Sequence, residues 1–480
     1  MNSNKIAHNI FYKLSIKSYL IFLFVTIIIF TTCEGKQSEP QGKVVQFSTA
    51  GWDSLFTYQY DYVLKETRGL ARTAEPMKIT LSAKTGEIKN WTDEIRIVRY
   101  DSVQPPELIP FQVYGQETVD KPSTESVNVI FIAKALPYQK ITYKFFWGKC
   151  SDKFLPSAQQ PTDLKLSGSQ PGLIIDNTFY HIELSEKSGA IQSARRVSQG
   201  NRGLISFYQG EPIHFGADVW SPPANWDHDY DWQMPPNQKL VHGPIMIKYH
   251  RWGPLKSYQD VIVHLTYTFF SNVPYVVVST MMEFTENRSA RAVRIGEIVV
   301  TYLPSKEHPS YSQIDTSDIV FTHYAWPEED RIVTRDIATH LDSQNVAQIE
   351  GFARGGLAVL DRDIPWIAGY NALKKFGMAS LRRTHFVGNK YGNPLPFTAA
   401  CTYLGEYGWG FSYWSRPEVY PFGKRNSTLD HNTVVSKGTI FASEEALLIF
   451  DPSDLNKNIR NVYTKYTHPL KLKFKGTGPW

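Results

Sequence analysis

The sequence contains little cysteine and little net charge. Only three of its 480 residues are cysteine, and no CxxC or HExxH spacing occurs, which argues against a disulfide scaffold and a standard zinc site. Neither a Gly-rich phosphate loop nor a GxSxG elbow is present, which argues against nucleotide and serine-hydrolase chemistry. With 51 Lys and Arg against 46 Asp and Glu, the chain also lacks the basic excess of a nucleic-acid-binding protein.

Long apolar runs are absent except for one near the start, Tyr19–Phe30. It follows three lysines and is about a dozen residues long, whereas a membrane span needs roughly 20. The pattern predicts that residues 1–32 are a secretory signal peptide and that residues 33–45 are a tether. Cys33 ends a segment that resembles a bacterial lipoprotein cleavage site, which implies lipidation of its thiol, although Thr32 departs from the usual small residue.

Two alternatives remain for this segment: an ordinary signal peptide with an incidental cysteine, or an anchor helix. Each places the protein outside the cytoplasm, in the cell envelope, and the lipoprotein alternative attaches it to a bacterial membrane. Removing residues 1–32 takes away three lysines and leaves the mature chain close to neutral. Cys150 and Cys401 could then form a disulfide in an oxidising compartment or remain two separate buried thiols.

Helical periodicity is also scarce, and almost every periodic segment alternates with period two. Strands of this kind, separated by turn-rich pieces, predict an N-terminal β-sandwich over residues 46–165. The segment 151–172 is rich in Ser, Pro, Gln and Gly and predicts a linker. Longer strands follow, such as 260–270 and 275–284, and they predict one large antiparallel sheet system over residues 172–480. The predicted fold class is therefore all-β.

One segment carries a resemblance to known proteins. Residues 176–193, Asp-Asn-Thr-Phe-Tyr-His-Ile-Glu-Leu-Ser-Glu-Lys-Ser-Gly-Ala-Ile-Gln-Ser, form a strand, a Gly-containing turn and a second strand. This hairpin resembles the entry hairpin of galactose-mutarotase-like β-supersandwich domains, which occur in glycoside hydrolases and polysaccharide lyases. The resemblance implies a carbohydrate-active protein whose second domain, 172–480, is a supersandwich. It brings no catalytic residues with it.

The densest polar and aromatic cluster is residues 220–233, Trp-Ser-Pro-Pro-Ala-Asn-Trp-Asp-His-Asp-Tyr-Asp-Trp-Gln. It lacks clear alternation and predicts a loop, in which Trp226 and Trp232 could stack on sugar rings. Three aspartates occupy positions 1, 3 and 5 of a calcium-loop pattern: Asp227, Asp229 and Asp231. Positions 6 and 12 do not fit that pattern, so a different Ca²⁺ site and a solvated loop with an aromatic plug both remain open.

Elimination on a uronate needs a group that neutralises the carboxylate, a base and an acid. Residues of these types occur in and after the cluster: His228, Tyr230, His250 and Arg251. They are the predicted catalytic residues, although a single histidine is more often a structural hydrogen-bonding group. A hydrolase would need two carboxylates instead, and several are available: Asp227, Asp229, Glu283, Glu297 and Glu406.

Two further segments supply predicted substrate-binding residues. Arg383 and His385 belong to the first, 382–385, and Trp414 and Arg416 to the second, 408–416. If 408–416 is a strand, Trp414 and Arg416 share a face with small residues, which would leave room for a ligand. The alternative is a plain core on one face and a cation–π pair on the other.

Together these features predict an exported enzyme that cleaves an acidic, uronate-containing polysaccharide by β-elimination. A glycoside hydrolase on the same fold and a non-catalytic glycan-binding lipoprotein are the alternatives. No cofactor is expected to be required, with Ca²⁺ as the one candidate. The expected partners are the polysaccharide and, through the lipid, a membrane, and no nucleic acid is expected.

Overall fold

The computed structural model describes most of the chain after residue 54. The described residues are 55–101, 105–118, 124–148, 162–197, 214–224, 226–300, 321–336, 352–353, 357–360, 364–396, 402–407, 410–419 and 433–475. For some of them only the backbone is described: 116–118, 214–216, 296–300, 335–336, 352–353, 357–360, 402–407 and 410–419. Several predictions lie outside the described residues, namely the signal peptide 1–32, the tether 33–45, the lipidation of Cys33, and the state of Cys150 and Cys401.

Two antiparallel sheets build the first part of the described chain. The five-stranded sheet has the order β30–β1–β7–β3–β4, with bounds Leu472–Phe474, Tyr58–Lys65, Lys140–Trp147, Ile95–Tyr100 and Glu107–Leu108. The three-stranded sheet has the order β2–β6–β5, with bounds Arg72–Lys84, Thr124–Ala135 and Phe111–Thr118. Their facing sides share one core that includes Leu81, Phe131 and Trp147. The last strand, β30, pairs with the first, so the end of the described chain completes this sheet. The division into domains 46–165 and 172–480 stays a prediction.

A four-stranded sheet follows, in the order β11–β10–β9–β8, with bounds Ile191–Arg196, Tyr180–Leu184, Gly172–Asp176 and Lys165–Ser169. The predicted hairpin of residues 176–193 is confirmed as β10 and β11. The prediction of a linker over 151–172 is wrong at β8, which lies within that segment and pairs with β9, and residues 151–161 lie outside the described residues. The strand Lys-Leu-Ser-Gly-Ser is a mostly exposed edge strand, so it carries no apolar alternation that could reveal it.

The largest sheet has nine strands, in the order β14–β15–β16–β17–β29–β25–β24–β20–β21. Their bounds are Asn237–His242, Met246–Pro254, Val261–Phe270, Tyr275–Phe284, Thr439–Phe450, Phe376–Asn389, Trp366–Asn371, His323–Glu328 and Arg331–Asp336. The two predicted long strands, β16 and β17, are confirmed as an antiparallel pair. One face of this sheet packs against the four-stranded sheet through residues such as Ile182, Leu265 and Tyr267.

The remaining large sheet has seven strands, in the order β13–β12–β19–β27–β26–β23–β22. Their bounds are Trp226–His228, His214–Trp220, Ala292–Val300, Gly410–Val419, Thr402–Tyr407, Leu357–Leu360 and Phe352–Ala353. Val219 and Val293 of this sheet share a core with Val263 and Phe284 of the nine-stranded sheet. A short pair, β18 and β28, with bounds Arg288–Ala290 and Thr433–Val435, lies beside it.

Helical structure is limited in the described residues to a 3₁₀ turn, Asp229–Asp231, a π-helical turn, Asn456–Arg460, and one short helix, α1, Asn461–Thr467. The predicted all-β fold class, with several antiparallel sheets, is confirmed. In the part of the chain that the structure describes, no helix is long and apolar enough to cross a membrane.

Candidate functional site

A polar and aromatic face forms where the hairpin β12–β13 joins β19. Alternation along β12 sends Ala217 and Val219 into the core and Asp218 and Trp220 to the opposite face. The register then places Asp218 opposite both His228 and Arg294, and Trp220 opposite Trp226. Side chains that are directly opposite on one face are about 5 Å apart at Cβ, so these residues form one cluster.

The centre of this cluster is a buried ion pair. The guanidinium of Arg294 donates two hydrogen bonds to the carboxylate of Asp218, at 2.9 and 2.5 Å. Its carbon Cζ also lies 3.9 Å from the centre of the Trp226 ring. Because Asp218 is only 1% exposed, this bidentate pair compensates a charge that water does not reach.

His228 lies between two carboxylates. Its Nδ1 is 3.0 Å from Oδ2 of Asp231, and its Nε2 is 3.7 Å from Oδ2 of Asp218. Burial lowers the pKa of the His228 imidazole, but the hydrogen bond that its Nδ1–H donates to Asp231 and the negative charges of Asp218 and Asp231 outweigh this effect, so the pKa is raised above its ordinary value. The imidazole is thus oriented by the hydrogen bond at Nδ1, and it holds its proton to a higher pH than a free histidine.

An aromatic row extends from this histidine in both directions. The Tyr230 ring stacks on His228 with centres 4.6 Å apart, and Trp226 follows on the other side at 6.4 Å. Trp220 continues the row 5.5 Å beyond Trp226, and the guanidinium of Arg291 lies 5.1 Å from the Trp220 ring. All four rings of this row are half-buried, so part of each ring packs against the protein and part is accessible to solvent. They are Trp220, Trp226, His228 and Tyr230.

Arg291 differs from the other arginines of this region. Arg294 is paired with Asp218 and Arg288 with Asp260, whereas no carboxylate within the described residues pairs with Arg291. Its Nε is buried and has no hydrogen-bond partner in the described part of the chain. An arginine head held on a tryptophan face without a counterion can form a bidentate pair with a ligand carboxylate.

The segment predicted as a loop, 220–233, contains a short paired strand, Trp226–His228, and a 3₁₀ turn, Asp229–Asp231. Burial alternates from residue 226 to residue 230, with Asp227 and Asp229 inward and His228 and Tyr230 outward. The Asp227 carboxylate accepts a hydrogen bond from the backbone N–H of Ser257. The loop prediction is therefore wrong for residues 226–231, whereas residues 221–224 and 232–233 are turns or irregular. The strand was missed because only three residues pair, Trp226–His228, and so short a strand gives no recognisable period.

The aspartates proposed for Ca²⁺ do not converge. Asp227 and Asp229 point into the interior, and only Asp231 shares the face of His228. Among the described side chains, no group of three or more His, Cys, Asp or Glu is arranged to hold a metal ion. Trp232, predicted to stack on sugar, is 4% exposed, and its indole N–H donates to the carbonyl of Pro254 at 2.8 Å.

Arg251 is completely buried inside the molecule. Its guanidinium pairs with the carboxylate of Asp229 and donates to the carbonyls of Ser188 and Asp229, each at 3.0 Å, and to the hydroxyl of Tyr267 at 3.3 Å. Although burial alone lowers the pKa of the Arg251 guanidinium, the adjacent carboxylate raises it above its ordinary value. Every one of these contacts joins parts of the fold, so we expect Arg251 to hold the Asp229–Asp231 turn in place.

His250 lies on the opposite face of β15, on the outer side of the nine-stranded sheet. Its ring stacks on Trp252 at 4.4 Å, and its Nε2 is 3.3 Å from Nδ1 of His264. Burial, then the charges of His264 and of nearby lysines, lowers the pKa of His250 to about 4. The structure therefore separates His250 from the face that carries His228 and Tyr230.

The depressed pKa of His250 predicts a pH-dependent stability. The unfolded histidine titrates near 6.5 and the folded one near 4, so between these values the unfolded state binds more protons. The free energy of unfolding should therefore fall as pH drops from 6.5 to 4, by on the order of 1–2 kcal/mol for a half-buried ring partly screened by solvent. Urea unfolding across this range should show a smaller pH slope in His250→Gln. The exposed His242→Gln should keep the wild-type slope, and equal slopes in all three proteins would contradict the assignment.

The predicted substrate-binding residues divide between two sheets. Arg383 lies on β25, donates to Glu444 at 2.8 Å and faces a cleft of about 410 Å³ under α1. His385 is half-buried on the same strand. Trp414 and Arg416 lie on β27, where Arg416 is opposite Ile295 of β19, but their side chains are outside the described atoms. The same holds for the side chains of Glu297 and Glu406.

Four residues of the cluster were not singled out for a role from the sequence: Asp218, Trp220, Arg291 and Arg294. The spacing Asp218-x-Trp220 and the pair Arg291-x-x-Arg294 are visible in the sequence. What brings them together is the pairing of β12 with β19, across more than 70 residues. A two-residue alternation in β12 could have placed Asp218 and Trp220 on one face, but nothing local indicates which later strand pairs with it.

Comparisons with known proteins yield only distant structural similarities. No family model matches the chain, and no curated protein matches it. A solved protein of glycosyl hydrolase family 38 from Enterococcus faecalis matches at 8% identity and a TM-score of 0.48, over 87% of this chain and 47% of that one. A galactose mutarotase related enzyme from Lactobacillus acidophilus matches at 10% identity and a TM-score of 0.32, over 58% and 98% of the two chains. A galactose mutarotase-like protein from Lactobacillus casei matches at 9% identity and a TM-score of 0.31, over 60% of this chain and 99% of that one.

These similarities are distant. The chain spans about half the length of the family 38 structure that it matches. The similarities do not identify the chemistry of the cluster around His228.

Proposed function

We propose that this protein is a carbohydrate-active enzyme that cleaves an acidic, uronate-containing polysaccharide by β-elimination at the face formed by β12, β13 and β19. The observation that carries the proposal is an aromatic row, in which Trp220 and Trp226 join Arg291 to His228. Arg291 has no carboxylate partner among the described residues, and His228 has a carboxylate near each of its ring nitrogens. Such a row offers a uronate a cation for its carboxylate, aromatic edges for its ring and a proton-transfer group.

The elimination can be written on these residues. Arg291 pairs with the uronate carboxylate, which stabilises negative charge as the proton on the adjacent carbon is removed. His228 takes that proton in its neutral form, with Asp231 and Asp218 stabilising the resulting imidazolium. The electron pair forms a carbon–carbon double bond, the bond to the glycosidic oxygen breaks, and that oxygen receives a proton from Tyr230. A phenol hydroxyl is suited to this donation because it keeps its proton at neutral pH.

A glycoside hydrolase at the same face is the second candidate. It is favoured by the two carboxylates that lie within 4 Å of the His228 ring, Asp231 at 3.0 Å and Asp218 at 3.7 Å. Asp218 is already neutralised by Arg294, and Asp231 accepts hydrogen bonds from the backbone N–H and from Nδ1 of His228. Because a hydrolase needs two carboxyl groups in different protonation states, this arrangement suits elimination better.

Export is part of the proposal and rests on the first 33 residues. We expect residues 1–32 to be removed and Cys33 to become the lipid-bearing N-terminus in a bacterial envelope. Mass spectrometry of the N-terminal peptide from cells that express the full chain would detect the acylated cysteine. A Cys33→Ala variant should release the protein from the membrane fraction.

The experiment that tests the reaction is incubation of the purified protein with a panel of uronic-acid polysaccharides. Elimination creates an unsaturated sugar with a new ultraviolet absorbance, whereas hydrolysis creates reducing ends without it. Absorbance on any member of the panel supports the lyase and identifies its substrate class. Reducing ends alone would support the hydrolase. If neither assay shows a product and the protein is retained in glycan-containing gels, the result would support a binding protein and would contradict the proposed enzymatic activity.

Arg291 provides a specific prediction within this proposal. Arg291→Gln should lower kcat/KM on a polyuronate by about tenfold or more, because the substitution removes the charge that pairs with the uronate carboxylate. Substrate whose carboxylates are methyl-esterified is the matched control, and on it the variant and the wild type should differ little. An equal loss on both substrates would contradict the carboxylate-binding role.

A further inference from the structure

A second cleft lies at one end of the five-stranded sheet. It has a volume of about 490 Å³ and forms where the ends of β1 and β7 meet residues 467–473. Its charged lining is entirely basic: Lys65, Arg68, Arg72, Lys140, Lys471 and Lys473. No aspartate or glutamate of the described chain lines it. We name it the basic groove.

The charges of the basic groove are largely uncompensated. Arg72 is ion-paired with Glu75 at 2.9 Å and Glu66 at 3.4 Å, but the other five cations have no carboxylate partner among the described residues. Lys65 and Lys140 are directly opposite each other in the β1–β7 register and both are exposed. Like charges in this position destabilise a sheet. A bound polyanion would offset the repulsion between Lys65 and Lys140, so the pair is better suited to an occupied groove than to an empty one.

A buried carboxylate, that of Glu66, holds together two loops next to the groove. Glu66 is 0% exposed and accepts hydrogen bonds from the backbone N–H groups of Arg68, Gly69 and Tyr138, at 2.9, 2.7 and 3.2 Å. It therefore fixes the loop after β1 to the turn between β6 and β7. The Tyr138 ring lies so close to Gly69 that a Cβ there would be 2.5 Å from its hydroxyl oxygen. This places a 70% exposed aromatic ring against the loop after β1, whose residue Arg68 lines the basic groove.

We infer that the basic groove binds an anionic polysaccharide, as a second site that holds the polymer away from the reaction face. The cations pair with its carboxylates or sulfates, and Tyr138 packs on a sugar ring. The concave shape suits a chain better than a flat lipid surface, and one aromatic ring is fewer than a single-stranded nucleic acid groove uses. The identity of the polymer as a polyuronate rests on the proposed function, whereas its negative charge follows from the groove itself.

The test compares two double variants of the purified protein in native gels that contain de-esterified polygalacturonate. Lys140→Gln with Lys473→Gln removes two groove charges. Lys84→Gln with Lys89→Gln removes the same charge from exposed positions near the other end of the sandwich, since Tyr58, the first residue of β1, contacts Glu87 there. We expect about tenfold weaker retention of the groove variant and near wild-type retention of the control variant. Retention should also fall as salt is added, because screening weakens exposed charge pairs.

Failure of this inference can be told apart from failure of the proposed function. Retention in the gel reports binding, so it is informative even if no uronate is cleaved. Equal retention of the groove and control variants would overturn the inference. So would equal retention by a neutral glucan, or tighter binding to a DNA duplex or to phosphatidylglycerol vesicles at the same salt. Unchanged melting temperatures in both double variants exclude unfolding as the cause.

Discussion

His228→Gln is expected to lose at least about a hundredfold in kcat on a uronate polymer while its melting temperature changes by only a few degrees. General acid–base catalysis by a positioned side chain contributes about 10²–10⁴-fold, and glutamine keeps hydrogen-bonding capacity without a titratable ring. The side chain is 15% exposed and outside the apolar core, so its replacement should affect chemistry more than folding. Steady-state kinetics and thermal unfolding of the same preparations check both parts.

The same histidine predicts the pH profile of the enzyme. Its raised pKa means that the neutral, proton-accepting form becomes abundant only above the ordinary histidine range near 6.5. Activity should therefore rise with pH through that raised value. Asp231→Asn removes the carboxylate hydrogen-bonded to Nδ1, which should move the acid limb of the profile to lower pH. A profile that Asp231→Asn leaves in place, or a His228→Gln variant that keeps more than about a tenth of the activity, would remove His228 as the base.

The largest effect on stability is expected at the buried pair of Arg251 and Asp229. Arg251→Met should lower the free energy of unfolding by about 3–5 kcal/mol, because it leaves the 1% exposed carboxylate of Asp229 without its counterion. Asp229→Leu should also lower the free energy of unfolding, because it leaves the buried guanidinium of Arg251 without its counterion. The double variant Arg251→Met with Asp229→Leu removes both charges and should be less destabilised than the sum of the single variants. Urea unfolding of the three proteins measures these differences.

An exposed ion pair of the same chain is the matched control. Arg331 is paired with Glu328 at 2.9 Å, but its side chain is 77% exposed, so Arg331→Gln should cost less than about 1 kcal/mol. The experiment also separates two roles for Arg251. The sequence-based prediction makes it the clamp for a substrate carboxylate, in which case Arg251→Lys should lose activity with its fold intact. The buried contacts predict the opposite, that any loss of activity follows the loss of folded protein.

The sequence is sufficient to predict the strands in which apolar and polar side chains alternate over many residues. β16 and β17 were predicted within one residue at each end because ten-residue runs of alternating apolar side chains leave few other structures open. The entry hairpin of β10 and β11 was predicted for the same reason, with a Gly-containing turn between its strands. β8 and β13 were missed, since an exposed edge strand and a three-residue strand bury too little to leave a pattern.

The candidate site was only partly predictable. The segment 220–233 was identified by its composition, and three of its predicted residues, Trp226, His228 and Tyr230, do share one face. Composition could not distinguish them from Asp229 and Trp232, which are buried, because the inward or outward direction of each side chain depends on the pairing of β13 with β12. Arg251 and His250 are adjacent in sequence, yet one is in the core and the other on the outer face of the nine-stranded sheet.

The sequence by itself therefore determined the all-β class, the long strands and the one segment in which polar and aromatic groups are concentrated, since each depends on residues that are neighbours in the chain. The tertiary structure alone decided that Arg294 neutralises Asp218, that Arg291 is left without a carboxylate partner in the described chain, and that Lys65 faces Lys140. These are contacts between strands about 75 residues apart. Strand register sets them, and register is decided by the burial of whole sheet faces rather than by any local pattern.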